Sequence, residues 1–381
     1  MKTTWQIAAT VMVAVVVAAC GGGGAGGGAG KPPAGAGPDG KVRVASNPSD
    51  QWALVPAAEV GMDGALLAAA IARLPDGKVH GVSSMLVMRR GKPVLEQYWN
   101  GYDKDTLHDI RSATKSITSM LMGIAIDRKL VGGVKDSLSS HLGALYPNAP
   151  AFRLAPNLQH LLTMRSGLDC DDWNTSTPGH EDKMYNSGDW IKFYTSVAAI
   201  DTPGTVTRYC TGNPMALGRV IAQASKKTIP AFAGEFLFGP LDIVSARWAS
   251  FDNGAQTDTG GHVLIRPRDM AKLGQLALQK GMWNGKQLIS SAWMEESMAA
   301  HTGFYSLPRR NEYGYLWWRS VEQVLNRPEQ MIFADGNGGQ HIFIVPAAEL
   351  VVVFTGENYN SSASKIVFEL LDQYILPSVK N

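Results

Sequence analysis

Residues 108–130 read HDIRSATKSITSMLMGIAIDRKL. Ser112 and Lys115 stand three apart at the head of this run, and Ile117, Met120, Leu121 and Ile124 recur at the spacing of one helix face. Two readings compete. In one, Ser112 caps the helix and Lys115 reaches into solvent. In the other, Ser112 is a nucleophile and Lys115 the amine that activates it. The helix is apolar on nearly all sides, which predicts burial. A lysine one turn into a buried helix loses water, and desolvation disfavours its charged form, so it can serve as a base near neutral pH. The helix start adds free backbone N–H groups and a positive dipole end beside the serine.

Spacing alone does not separate the readings, since a chain of this length holds about one S-x-x-K match by chance. A second match, Ser362 and Lys365, follows the polar stretch GENYNS and opens an amphipathic helix. That pair reads as a solvated face. The other hydrolase signatures are absent from the sequence. There is no G-x-S-x-G and no H-E-x-x-H, and His180–Glu181 lacks a second histidine. No Cys/His spacing suggests zinc, so neither metal nor cofactor is expected.

Hydrophobic residues make up 45% of the 381 positions, charged residues 18%, and the net charge is +2. These values suit a globular protein with a sizeable core and supply no basic stripe for nucleic acid. Residues 1–19 read as a secretory signal: one early lysine, a short apolar run, then small residues. Val17-Ala18-Ala19-Cys20 resembles the lipobox of bacterial lipoproteins, which implies lipidation at Cys20, export to the periplasm and contact with a membrane through the anchor alone. Plain secretion with an incidental cysteine is the other reading. Residues 20–50 are rich in glycine and proline and read as a tether, with the folded domain expected at 51–381. The tether's Gly22, Gly24 and Gly27 match G-x-G-x-x-G, but no strand precedes them and no helix follows. Without Cys20, two cysteines remain, Cys170 and Cys210. In an oxidising compartment they read as a disulfide, against two buried free thiols.

SSMLVMRRGKPVLEQYW reads as two strands around a turn at Arg90-Gly91-Lys92, and QHIFIVPAAELVVVFTG as two more around Pro346. Gly132-Gly133 is the expected end of the Ser112 helix. LQHLLTMRSGL, GDWIKFYTSVAAI, PMALGRVIAQAS and RPRDMAKLGQLALQKG read as helices, and SASKIVFELLDQYIL closes the chain as another. Strands at both ends and helices between them predict a mixed α/β (α+β) fold. In it, one antiparallel sheet flanked by helices is built from both chain ends, with a mostly helical subdomain inserted at about 130–240.

SATKSITSMLMGIAIDRKL resembles the active-site helix of the class C β-lactamase-like serine hydrolases. Further segments match in the same order: LQHLLTMRSGLD, TPGTVTRYCTGNPMALGRVI, GGHVLIRPRDMAKLGQLALQKGMWNGKQLIS, YGYLWW and DGNGGQHIFIVPAAELVVVFTG. The resemblance covers roughly residues 80–375 and implies a β-lactamase/transpeptidase-like fold. It implies Ser112 as nucleophile, Lys115 as its amine partner and Tyr209 as the proton-carrying tyrosine, with the choice of base between Lys115 and Tyr209 left open. It implies an oxyanion hole from the Ser112 N–H and an N–H near Gly336 or Asn337. Cys170 follows a loop that in relatives packs near the active site, and Cys210 adjoins Tyr209.

Two departures set the expected substrate. Where relatives carry Lys-Thr-Gly or His-x-Gly, this chain has Ala334-Asp335-Gly336, so the cation for a substrate carboxylate is missing. Where many have Tyr-Ser-Asn, this chain has Tyr209-Cys210-Thr211, with Asn213 two residues on, which is closer to the esterase and 6-aminohexanoate-dimer-hydrolase branch. The resemblance thus implies hydrolysis of a small ester or linear amide through an acyl-Ser112 intermediate. Arg165, Arg208 and His262 are candidates for a compensating cation, and His262 for substrate contact. The alternatives are a weak penicillin-interactive D-peptidase and a non-catalytic, lipid-anchored binder of cell-wall peptides.

Between the two S-x-x-K pairs the expectation is one-sided. Ser112→Ala should abolish turnover of p-nitrophenyl esters in a protein that stays folded, and Ser362→Ala should leave it intact. Retained activity in Ser112→Ala would end the assignment.

Overall fold

The computed structural model describes residues 36–47, 50, 52–75, 80–150, 155–251, 256–304 and 311–380. The expected signal peptide, the lipidation site Cys20 and residues 20–35 of the expected tether lie outside the described residues. The two end pairs of strands form as expected: β1 (Val82–Arg89) and β2 (Lys92–Tyr98) near the start, with β3 (Thr302–Phe304), β4 (Asn311–Tyr313), β5 (Trp318–Val324), β6 (Arg327–Gly336), β7 (Gln340–Val345) and β8 (Leu350–Gly356) later. Arg90 and Gly91 make the first turn with φ of 54° and 72°, the left-handed region that a tight hairpin demands. All eight strands pair antiparallel in the order β3-β4-β5-β6-β7-β8-β1-β2. The last of these strands, β8, therefore pairs with the first, β1, and one sheet is built from both ends.

The helices used below are α1 (Gly64–Ala72), α2 (Thr114–Asp127), α3 (Leu158–Leu162), α4 (Gly212–Ser225), α5 (Pro267–Leu278) and α6 (Ile366–Leu370). Both sheet faces are covered, so β1, β7 and β8 are buried at every position. Successive side chains alternate faces. Ile342 and Val351 meet α5, where a Cβ on Gly274 would lie 2.8 Å and 2.6 Å from them, so only glycine lets the helix this close. His341 and Phe343 point the other way, against Phe368 of α6. Burial drives the His341 pKa down to about 3, leaving it a neutral core side chain. Two helix ends differ from expectation. α2 stops at Asp127, before Gly132-Gly133, because Lys129 adopts φ 60° and the Leu130 N–H turns back to the Ala125 carbonyl. The closing helix breaks into a 3-10 turn at Ser362–Lys365, α6, and a wider π-type turn at Leu371–Ile375.

Between residues 130 and 240 the described residues hold helices and no strand, and α4 packs on α2. The tether boundary moves. Residues 36–47 and 50, expected to be linker, belong to the folded body. Val42–Arg43 pairs with Thr106–Leu107, and the Asp50 carboxylate meets Arg266 at 3.0 Å and Lys272 at 2.8 Å. Arg266 and Asp269 are fully buried, so Asp50 helps to neutralise cations that would otherwise sit in the core uncompensated. This partner is 216 and 222 residues away in sequence (266 − 50 and 272 − 50), which is why no local pattern reveals it.

Cys170 and Cys210 are joined, closing a loop of 40 residues. Such a crosslink restrains the unfolded chain and contributes about 3–4 kcal/mol on the loop-entropy account. The Cys170→Ala, Cys210→Ala double variant should lose stability of this order in urea titration. Thiol titration of denatured, unreduced protein should find no free cysteine apart from Cys20; two further reactive thiols would contradict the bond.

Candidate active site

A small four-stranded sheet assembles the site. Thr106–Asp109 pairs on one side with Val42–Arg43 and on the other with Val263–Ile265. These strands are too short to leave a period in the sequence. The Ile110 N–H donates to the Val263 carbonyl at 3.0 Å, and the Val263 N–H to Thr114 Oγ1 at 3.2 Å. The turn Arg111–Ala113 is thereby pinned against Gly260–His262. Arg111 takes φ 49°, a conformation that costs a non-glycine residue about 1 kcal/mol or more, with its N–H held by Asp109 Oδ1 at 3.0 Å.

Directly after this turn, at Thr114, α2 begins. Lys115 Nζ donates to Ser112 Oγ at 3.0 Å and to the Gly260 carbonyl at 2.7 Å. Lys115 is 1% exposed, while Ser112 stays partly accessible. Burial lowers the Lys115 pKa; the carboxylates of Glu181, Asp172, Asp258 and Asp335 oppose that shift. The structure therefore gives Lys115 the sealed environment expected of it, and leaves Ser362 and Lys365 both exposed.

Tyr209 lies just before α4, 7% exposed, with its hydroxyl close to Ser112. The Lys115 hydrogen bonds go to Ser112 and Gly260, and Nζ sits over the Tyr209 ring, 4.9 Å from its centroid. Burial, aided by Tyr313, pushes the tyrosine well above its usual value, and the nearby Ser112 hydroxyl only partly opposes this.

Of the acids around Lys115, Asp172, Glu181 and Asp258 had no motif to announce them. Asp172 accepts from the Glu181 N–H at 2.9 Å and the Thr211 N–H at 2.6 Å, while Thr211 Oγ1 donates to Glu181 Oε2 at 2.7 Å. Burial, with Glu181 nearby, pushes Asp172 up to about 8. Asp258 accepts from the Gly260 and Gly261 N–H groups at 3.0 and 2.7 Å, and burial lifts it to about 6. Asp335 is crowded by protein although 39% of its side chain remains accessible, and desolvation lifts it to about 7 against the pull of Lys115.

Gly336 ends β6 against the serine turn. A Cβ there would lie 2.1 Å from the Ile110 carbonyl oxygen and 3.2 Å from the Ala113 nitrogen, so the close approach requires glycine. Asn337, next along, is held by a reciprocal pair that the sequence reading missed. The Asn360 N–H donates to Asn337 Oδ1 at 2.9 Å, and Asn337 Nδ2 to Asn360 Oδ1 at 2.7 Å.

The sequence model of the β-lactamase family matches residues 67–364. The chain belongs to the β-lactamase family. It is 22% identical over 297 residues to the 6-aminohexanoate-dimer hydrolase of Paenarthrobacter ureafaciens, covering 71% of each chain. Its fold is shared with a Bacillus anthracis structure assigned as a 6-aminohexanoate-dimer hydrolase (TM-score 0.68, 19% identity, 88% of this chain and 89% of that one). It is shared also with EstCE1, a hydrolase with promiscuous acyltransferase activity (0.66, 16%, 82% and 98%), and with an octameric penicillin-binding protein homologue from Pyrococcus abyssi (0.60, 16%, 81% and 77%).

The remaining expected residues of this β-lactamase-family hydrolase fall into place unevenly. His262 borders the site, but Asp109 meets its Nδ1 at 2.8 Å and Arg111 Nη1 lies 3.3 Å away. Burial lowers its pKa, and Asp109 more than offsets this, so its charge is raised and already matched. Arg208 is paired with Asp201, and Arg165 Nε donates to Thr163 Oγ1 at 3.1 Å. Asn213 is sealed in a structural role, accepting from the Tyr194 hydroxyl at 3.0 Å. Among the described residues no His/Cys/Asp/Glu group could hold a metal ion.

The burial of Lys115 sets the pH response. Labelling of Ser112 by a fluorophosphonate should accelerate as pH rises and the amine loses its proton. Asp335 raises the Lys115 pKa, so Asp335→Asn should move the rising limb to lower pH. A shift to higher pH would overturn this account.

Proposed function

We propose that this protein is a serine hydrolase that cleaves a neutral ester or linear amide through an acyl-Ser112 intermediate. The observation that carries the reading is the 3.0 Å contact from a fully buried Lys115 Nζ to Ser112 Oγ. Lys115, whose charged form desolvation disfavours, takes the Oγ proton in its neutral form as Oγ attacks the carbonyl carbon. The Ser112 backbone N–H and one from Gly336 or Asn337 receive the developing oxyanion, each such donor lowering the barrier by roughly 3 kcal/mol. Tyr209, whose raised pKa keeps it protonated, hands its proton to the departing oxygen or nitrogen. Water then attacks the acyl-enzyme: the Tyr209 oxygen takes the water's proton, and Lys115 returns the proton it took to Ser112 Oγ as the acyl bond breaks.

The roles of Lys115 as base and Tyr209 as acid follow from their opposite shifts: paired groups pushed apart in pKa divide acid from base work. The protein acts outside the cytoplasm, lipid-anchored through Cys20, on this reading. Asp335 argues against the cell-wall peptide alternative, because an acid stands where a substrate carboxylate would lie, and the nearby His262 and Arg208 are already paired.

A lost charge-assisted hydrogen bond is worth roughly 1.5–3 kcal/mol, or about one to two powers of ten. A neutral methyl ester or amide should therefore beat its matched free acid at least tenfold in kcat/KM. If the anionic member wins, the D-peptidase reading replaces this one. If neither is cleaved and fluorophosphonate fails to mark Ser112, the protein is a binder.

A further inference from the structure

Beside Tyr209 lies an aromatic cluster that the mechanism above does not use. Trp173, in the loop between Cys170 and Gly179, stacks on the Tyr209 ring with centroids 5.3 Å apart and planes 5° from parallel. Phe304 meets Trp173 edge-on at 4.9 Å, and Trp318 lies 6.4 Å from Trp173 and 5.8 Å from Tyr209. Phe304, Trp318 and Tyr209 are buried, whereas Trp173 is only half-buried. A large indole left partly open against Tyr209 presents apolar surface at the edge of the site.

We propose that Trp173, with Phe304 behind it, is the specificity-determining wall for the leaving group, and that it selects a planar aromatic alcohol or amine. The proposal rests on the acyl-Ser112 reading. Tyr209 supplies the leaving group's proton, so the departing oxygen or nitrogen lies against Tyr209, and whatever it carries lies against the ring stacked on Tyr209. Offset and edge-to-face contacts favour an aromatic group there over an alkyl group of similar reach. The disulfide stiffens the wall: Cys170 and Cys210 join the loop carrying Trp173 to the residue after Tyr209, so both rings move with one crosslinked unit.

The test compares benzyl butyrate with ethyl butyrate, whose alcohols leave with similar ease, and ethyl phenylacetate, which carries the ring on the acyl side. The benzyl ester should be favoured over the ethyl ester by roughly tenfold in kcat/KM, the scale on which apolar pockets discriminate. The gain should appear mainly in KM. In Trp173→Ala the benzyl-to-ethyl ratio should fall to near one, and Trp173→Phe should restore part of it. A preference absent from the wild type, unchanged in Trp173→Ala, or found for ethyl phenylacetate instead would overturn the assignment. Fluorophosphonate labelling of Ser112, run on the same samples, separates this failure from failure of the serine-hydrolase reading, since only the latter removes the label.

Discussion

The amine of Lys115 has to be buried and still reach Ser112, and much of the molecule serves that requirement. Burying a lysine is costly unless its donors are satisfied or its charge is relieved. Here Nζ is satisfied by Ser112 Oγ and the Gly260 carbonyl, and desolvation shifts it toward neutrality. The Gly260 carbonyl is available because Asp258 holds the Gly260 and Gly261 N–H groups and shapes that turn. The serine is available because Ile110, Val263 and Thr114 clamp its own turn.

The surrounding acids explain why the shift is bounded. Four carboxylates, Glu181, Asp172, Asp258 and Asp335, act on the amine, and three of them are pushed upward by their own burial. Carboxyls that titrate near neutrality make the field at Lys115 respond to pH around neutral. Tyr209 sits in the same enclosure and shifts the opposite way, because burial penalises an anion where it penalises the lysine's cation. One physical cause, exclusion of water, thus moves the two groups' pKa values in opposite directions.

The loop from Cys170 to Gly179 ties this centre to its surroundings. It carries Asp172, which takes the Thr211 N–H, and Trp173, which stacks on Tyr209, and the disulfide fastens it beside both. On the other side, Gly336 brings the end of β6 onto the serine turn, and Asn360 clasps Asn337. The centre is therefore gripped by elements drawn from both the helical insertion and the sheet.

The S-x-x-K helix, the hairpins at both ends and the helical middle could be read from the sequence, because each is a local pattern: apolar spacing of 3.6 or 2 and turn residues between runs. Ordered segments of the β-lactamase family then assigned Ser112, Lys115, Tyr209 and the Gly336 turn. Only the tertiary structure joined Asp50 to Arg266, placed Asp172, Glu181 and Asp258 around Lys115, set Asn360 against Asn337 and laid Trp173 on Tyr209. These contacts link residues distant in the chain through strands of two to four residues and irregular loops, which leave no period to detect. The pKa of Tyr209 was beyond sequence for the same reason. Its sign depends on whether burial or the lysine dominates, and that is decided by where the ammonium points, which only packing determines.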